Sequence, residues 1–359
     1  MEEQAMADVR PFRDHYDNKD IIPLRDLLPL DVPFAINIDP ANACNFRCTF
    51  CPTGDLDMLR TVGRPKGAMN FDLFRKIVDD IADMVATSGK RIEKLNLHKD
   101  GEPLINKKLA QMIAYAKAAN IAVSVETTTN GSLLDEKRAV ELVESGLDAI
   151  RISVEHVTET GYKDVTLTYS NYEAIKRNVK FLYHYKKSVN SRLHVHCKIV
   201  DSGFSQEEKE KFFDDFGKIC DSIHIDTLMG WSRSNERDWM LGTEPETGVY
   251  GFSKIRERQT CSEPFTKLAI NFDGTVSVCC VDWSHSTVVG DTRRQRVGDI
   301  WRGAALQEFR RMHLAGRRNE NKACADCHYM KGLPACSFID DDVERLMPLF
   351  SGPVEGAVP

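Results

Sequence analysis

ACNFRCTFCPTG, residues 43–54, sets Cys44, Cys48 and Cys51 in a C-x3-C-x2-C spacing, with proline directly after the third thiol. Three thiols on so short a loop form a metal-ligand set with one member missing. Structural zinc closes its shell with four ligands, and catalytic zinc recruits histidine or carboxylate, neither of which stands inside this loop. Ferredoxin-type spacings bring further cysteines close by, and none follows here. Three corners of a cubane iron–sulfur cluster account for the set, which leaves one iron open to a substrate or cofactor. An open iron implies chemistry.

Outward from the loop, the hydrophobic period switches repeatedly between two and about 3.6, the sign of strands alternating with helices in a parallel α/β sheet. The spacing predicts strands at FAINID (34–39), IEKLNLH (92–98), IAVSVETT (121–128), DAIRISVE (148–155), LHVHCKIV (193–200) and DSIHIDTL (221–228). It predicts helices at FDLFRKIVDDIADMVA, NKKLAQMIAYAKAA, LDEKRAVELVESG, NYEAIKRNVKFLYHYKK and SQEEKEKFFDDFGKI, with Asn70 opening the first and Gly146 closing the third. Buried parallel strands ordinarily read as continuous apolar runs, yet these alternate with large polar residues. Asn37 and Asp39, Asn96 and His98, Ser124 and Glu126, Arg151, Ser153 and Glu155, His194, His196 and Lys198, then His224 and Asp226 all fall on one face. A sheet curling into a partial barrel makes that face a polar lumen.

Composition narrows the partners. The 48 basic and 54 acidic residues leave a net charge of −6 without a basic block, so neither nucleic acid nor an anionic membrane has an electrostatic footprint. The amino terminus lacks a basic segment leading into an apolar one, and no stretch approaches the roughly 20 apolar residues of a membrane span. The expectation is a cytoplasmic protein acting on a small molecule. Eleven cysteines in a reducing compartment point to metal or catalysis rather than disulfides. Three lie at 44–51 and six between 261 and 336, leaving Cys197 and Cys220 isolated, which suggests two metal centres in two regions.

The second group comprises Cys261, Cys279, Cys280, the CADC pair Cys324 and Cys327, and Cys336. FTKLAINFDGTVSVCC reads as a hairpin turning at Asp273-Gly274, with Cys279 ending the returning strand. VGDIWRGAALQEFRRMHLAG reads as one helix leading to the CxxC. Four thiolates at Cys261, Cys279, Cys324 and Cys327 suit zinc or an iron–sulfur cluster.

The loop, the aromatic Phe50 before the third cysteine, the strand before it and the β/α alternation after it resemble the radical SAM superfamily, over about residues 34–228. That resemblance implies a partial (β/α)6 barrel, a [4Fe-4S] cluster on Cys44, Cys48 and Cys51, and S-adenosylmethionine on the open iron, split to a 5'-deoxyadenosyl radical. Gly101 and Glu102 in HKDGEPL resemble the motif that meets the methionine amino group, although Asp100 stands where glycine is common. Asn130 and Gly131 in TTTNGSLL resemble a strand ending near the cofactor, and Ser153 and Glu155 resemble a ribose-contacting pair. All lie at carboxyl ends of strands, where ligands of parallel α/β folds gather. Asn130-Gly131 also reads as a plain turn. The carboxy-terminal cysteines resemble the Twitch form of the SPASM domain, which implies one auxiliary [4Fe-4S] cluster on Cys261, Cys279, Cys324 and Cys327. The organisation expected is an extension at 1–33, the barrel at 34–230, a linker at 231–260, the auxiliary-cluster domain at 261–340 and a tail at 341–359.

Twitch enzymes include dehydrogenases of sugars and aminocyclitols, so the resemblance implies oxidation of a secondary alcohol to a ketone in carbohydrate or antibiotic biosynthesis. It also implies a flavodoxin- or ferredoxin-type electron donor. A base near neutral pKa must face the lumen, and His98, Glu126, His196, Lys198 and Asp226 are the candidates. A sugar epimerase would instead need a thiol hydrogen-atom donor, Cys280 or Cys336. A peptide-modifying maturase commonly carries a further recognition domain, and only about 33 residues precede the first strand, too few for one. An electron carrier would have no use for the open iron.

Overall fold

Every segment with the strand pattern forms a strand in the computed structural model, which describes residues 21–251 and 253–351. β1 (Ala35–Ile38), β2 (Ile92–Asn96), β3 (Ala122–Thr129), β4 (Ala149–Val154), β5 (His194–Asp201) and β6 (Ser222–Thr227) pair in parallel, each beside the next in sequence. α1 (Leu56–Thr61) continues the cysteine loop and buries none of its residues, while helices pack the outer face: α2 (Phe71–Ser88), α3 (Leu109–Ala119), α4 (Glu136–Glu144), α5 (Glu159–Thr166), α6 (Tyr172–Ser188) and α7 (Gln206–Phe216). Alternation decides which side chains meet them. Ile150, Ile152 and Val154 of β4 are buried in the apolar layer with Ile175 and Val179 of α6, while Arg151 and Ser153 point the other way. Caps fix the helix starts: Asn70 accepts from Asp72 N at 2.7 Å ahead of α2, and Ser205 with Glu208 forms a full capping box at α7.

The carboxy-terminal hairpin extends the same sheet. β7 (Lys267–Ile270) pairs in parallel with β1, and β8 (Thr275–Ser277) and β9 (Val288–Asp291) follow antiparallel, giving the order β6-β5-β4-β3-β2-β1-β7-β8-β9. The turn at Asp273-Gly274 is as expected, with Gly274 at φ +91°. Two expectations need correction. β8 stops at Ser277, where the register with β9 shifts, so Cys279 lies two residues beyond the strand. The single helix is two, α8 (Val297–Arg302) and α9 (Ala304–Leu314), because Gly303 adopts an extended ψ of 155° and breaks the helical run. The expected extension at 1–33 and tail at 341–359 lie partly outside the described residues. Among the described residues, no helix is long and apolar enough to cross a membrane.

Candidate active site

At the carboxyl ends of the strands a cavity of about 320 Å³ opens, and Cys44, Cys48 and Cys51 all line it. Their loop is closed by Cys51 N donating to Cys48 O at 3.1 Å and Gly54 N to Cys51 O at 2.9 Å. A side chain at Gly54 would put Cβ 2.7 Å from Cys48 O, so this tight wrap requires glycine. Cys44 Sγ accepts from Phe46 N at 3.4 Å and lies 3.9 Å from Asn130 Nδ2. Burial pushes the Cys44 thiol up to about 12, Cys48 well above its ordinary range and Cys51 upward as well. Thiols held that dry ionise only beside a strong positive charge, and a bound iron cluster supplies one. The donor set fits the group.

The opposite wall comes from the ends of β2, β3 and β4. Glu102, buried, accepts at Oε1 from Leu104 N (2.9 Å) and Thr129 Oγ1 (2.7 Å) and at Oε2 from Asn130 N (2.8 Å). Gly101 passes so close to the loop that a Cβ would lie 2.3 Å from both Ala41 O and Ala43 O. Asn130 turns the chain before Gly131 at φ +72°, lines the cavity and reaches Asn45 Oδ1 of the cysteine loop at 3.1 Å. Ser153 and Glu155 also line the cavity, and burial raises the Glu155 carboxyl to about 7, opposed by the Lys198 ammonium. Phe50 lines it too, its carbonyl accepting from Trp231 Nε1 at 3.0 Å.

Of the five candidate bases, Lys198 and Asp226 line the cavity, joined Nζ to Oδ2 at 2.7 Å. His98, Glu126 and His196 do not, because they lie one or two residues lower on their strands. Glu126 is held by Arg151 at 2.7 Å and Lys94 at 3.0 Å. His196 Nδ1 meets Ser222 Oγ at 2.7 Å and His98 Nε2 meets Thr128 Oγ1 at 3.3 Å. Burial pushes both imidazoles down to about 3, so they stay neutral. Neither Cys280 nor Cys336 lines the cavity, so neither thiol faces a substrate there. Cys197 is buried in the apolar layer on the helix side of β5.

A group of charges missed in the sequence lies between loop and hairpin. Asp100 Oδ2 meets Lys99 Nζ at 2.6 Å, His285 Nε2 at 2.8 Å and Arg64 at 3.7 Å, with all four side chains almost fully enclosed. Arg64 donates to Trp283 O (3.1 Å) and Thr53 Oγ1 (3.2 Å), Lys99 to Asp282 O (3.2 Å), and Thr53 Oγ1 to Asp100 O (2.5 Å). Burial alone would raise Asp100, but Lys99, His285 and Arg64 outweigh it and hold the carboxyl low. The neighbouring Asp39, fully buried and with both oxygens unpartnered, is pushed up by burial and by Asp100. The one signal available was Asp100 itself, an acid where glycine is common.

Cys261, Cys279, Cys324 and Cys327 meet around a second cavity of about 30 Å³. Arg318 donates to Cys324 O and, at 2.9 Å, to Ala325 O, fixing the CxxC turn. Burial raises the Cys261, Cys324 and Cys327 thiols, and the hydrogen bond with Cys280, then burial, raises Cys279, so this donor set also fits a cationic metal group. Glu263, unnoticed in the sequence, joins this wall, with its oxygen 4.0 Å from Cys279 Sγ and an ion pair to Lys267 at 2.9 Å. Cys280 lies with Glu263 and Cys279, and Cys336 stands apart beside Arg258.

Comparison with known proteins agrees. The radical SAM superfamily model matches residues 38–207, and the model of the SPASM iron–sulfur cluster-binding domain matches residues 261–328. The chain is a radical SAM protein with a SPASM domain. It is 21% identical to the S-adenosyl-L-methionine-dependent 2-deoxy-scyllo-inosamine dehydrogenase of Niallia circulans, over 82% of this chain and 92% of that one. It is 22% identical to the tungsten-containing aldehyde ferredoxin oxidoreductase cofactor-modifying protein of Pyrococcus furiosus, over 84% and 88%. Its fold is that of BtrN in complex with AdoMet and 2-DOIA (TM-score 0.51, 17% identity, covering 82% and 93%) and of Streptococcus suis SuiB bound to S-adenosylmethionine (0.57, 14%, covering 89% and 79%). The cofactors of this radical SAM enzyme are S-adenosylmethionine, a [4Fe-4S] cluster and auxiliary iron–sulfur.

Proposed function

We propose that this enzyme oxidises a secondary alcohol of a sugar or aminocyclitol to a ketone. When bound, S-adenosylmethionine and a reduced cluster would supply the radical chemistry for removing the carbinol hydrogen, and one auxiliary cluster would supply an acceptor for the remaining electron. Cys44, Cys48 and Cys51 would hold the first cluster, and Cys261, Cys279, Cys324 and Cys327 the second. Glu102, Asn130, Ser153, Glu155, Phe50 and Gly101 would frame S-adenosylmethionine.

The thinness of the wall between the two cavities carries this reading. Trp231 and Trp283 face the larger cavity, Ser232 and Asp282 face the smaller, and Val281 lines both. The wall is pinned by Ser232 Oγ donating to Val281 O at 2.7 Å and Trp283 Nε1 donating to Ser232 O at 2.9 Å. A substrate beside it stands one layer of residues from the four-thiol site, as the loss of a second electron requires. Asp226 is the base in this scheme: it accepts the hydroxyl proton, and Lys198, ion-paired to its Oδ2 at 2.7 Å, orients the carboxylate. The relative named as an inosamine dehydrogenase supports the substrate class.

The test is anaerobic reconstitution followed by turnover with a panel of sugars and aminocyclitols in deuterated water. One ketone per 5'-deoxyadenosine, with no deuterium on carbon, is expected. Deuterium on the reacting carbon with the alcohol retained would overturn the oxidation.

A further inference from the structure

The chain just past Cys279 is at once the wall between the two cavities and the roof of the Asp100 network. Val281 lines both cavities, Trp283 lines the larger and Asp282 the smaller. The Asp282 carboxylate folds this segment on itself: Oδ1 accepts from Ser284 Oγ at 3.0 Å and Ser286 N at 3.1 Å, and Oδ2 accepts from Thr287 N at 2.8 Å and Thr287 Oγ1 at 2.7 Å. The turn leaves His285 left-handed at φ +53°, a conformation that a residue with a Cβ adopts against its own preference. From there its imidazole reaches Asp100.

Three residues of the barrel grip the segment. His285 Nε2 meets Asp100 Oδ2 at 2.8 Å, Lys99 Nζ donates to Asp282 O at 3.2 Å, and Arg64 donates to Trp283 O at 3.1 Å. The same group holds the cysteine loop on its other side: Thr53 Oγ1 donates to Asp100 O at 2.5 Å, and Arg64 donates to Thr53 Oγ1 at 3.2 Å and to Asn42 O at 3.4 Å. Asn42 stands two residues before Cys44, Thr53 two after Cys51 and Asp282 three after Cys279. One buried hub therefore spans the ligand loops of both thiol sites.

Adhesion alone does not account for it. Enclosing charges costs so much desolvation that well-packed apolar residues would join the two regions at least as firmly, and Asp39 beside the hub is left with both carboxylate oxygens unpartnered. Charged hydrogen bonds differ from apolar contacts in fixing length and direction. Resting on the proposed oxidation, we propose that Asp100 and His285 are positioning residues that set the separation of the two thiol sites and hold the Val281–Trp283 wall at the thickness electron passage needs. In that step the substrate radical is oxidised by one electron, the auxiliary cluster is reduced by one, and the hydroxyl proton goes to Asp226. Asp100 and His285 act through the backbone they hold.

His285→Gly tests this, because glycine takes the left-handed backbone freely and only the imidazole is removed; His285→Gln returns an N–H donor for Asp100. In the reconstituted full chain, reduced with dithionite, the magnetic coupling between the two clusters is read by electron paramagnetic resonance, and ketone formed per 5'-deoxyadenosine is read in turnover. For His285→Gly the expected result is the parent's iron content and 5'-deoxyadenosine formation, a weaker and more widely distributed coupling, and a fall of roughly tenfold or more in ketone per 5'-deoxyadenosine, the scale set by a displacement of under an ångström. His285→Gln should recover both readouts. Parental coupling and ratio in His285→Gly, or loss of cluster iron from it, would overturn the proposal. If the parent forms 5'-deoxyadenosine but no ketone, the proposed oxidation fails, and the magnetic coupling still decides whether His285 sets the separation.

Discussion

The two thiol sites share one sheet and differ in what surrounds them. The amino-terminal site offers three cysteines to a cavity of about 320 Å³ rimmed by carboxylates, amides and hydroxyls. The carboxy-terminal site offers four to a cavity of about 30 Å³, closed by Pro264, Val278, Val281 and Met330 together with the polar side chains of Ser232, Glu263, Asp282, Thr287 and His313. A spare coordination position is useful only where a ligand can enter, and a complete set is useful where nothing should. Ligand count and free volume change together, which is the difference the proposed function needs between a site for bond breaking and one for passing electrons.

That contrast can be broken most severely at the loop. Cys48→Ala should lose one cluster's iron and abolish 5'-deoxyadenosine formation, measured by iron assay and chromatography; retained cleavage would show the loop is not the reactive site. Cys324→Ala should leave 5'-deoxyadenosine formation largely intact while ketone falls by about 10²-fold, an uncoupling that distinguishes an electron acceptor from a structural plug. Asp226→Asn should lower kcat by about 10²–10⁴-fold with little change in KM, the size expected for loss of a positioned base. Asp100→Asn removes the charge on which Lys99, His285 and Arg64 converge, and breaking a buried pair costs about 3–5 kcal/mol. Urea unfolding should show that loss, and His285→Gln should show less.

A pH-dependent effect concerns His98 and His196, whose depressed imidazoles make the lumen floor structural. With a folded value of about 3 for each and an unfolded value near 6.5, the unfolded chain binds protons that the folded chain refuses. Their contribution is therefore intact above about pH 6.5 and declines as pH falls toward 3, by roughly 4 kcal/mol for the pair at pH 5. His196→Gln should flatten the dependence of the urea midpoint on pH by about half; an unchanged slope would mean that these rings ionise freely.

The barrel strands were legible because alternation and helix period are local, and because Asn70 and Gly146 announce helix ends in short words of sequence. The cysteine loop was legible for the same reason. The lumen was read one level too coarsely: alternation says that His98, Glu126, His196, Lys198 and Asp226 share a face, but not how high on the strand each lies, and height separates Lys198 and Asp226 from the others. The Asp100 network joins residues from 53 to 285, and Glu263 turns toward Cys279 from a four-residue helix. Contacts at that separation depend on how the hairpin docks, which no local pattern encodes. The break at Gly303 was in view, but helix period on both sides masked it.

Because β7 hydrogen-bonds along the whole of β1, the carboxy-terminal hairpin is the seventh stave of the barrel as well as the seat of the second thiol set. Truncation before residue 261 would therefore bare the central strand that carries the cluster loop, strip Lys99 and Asp100 of their roof, and leave an adhesive sheet edge prone to pairing with other chains. Attempts to excise a minimal catalytic half, or to graft this auxiliary module onto another barrel, must carry β1, its loop and β7 together.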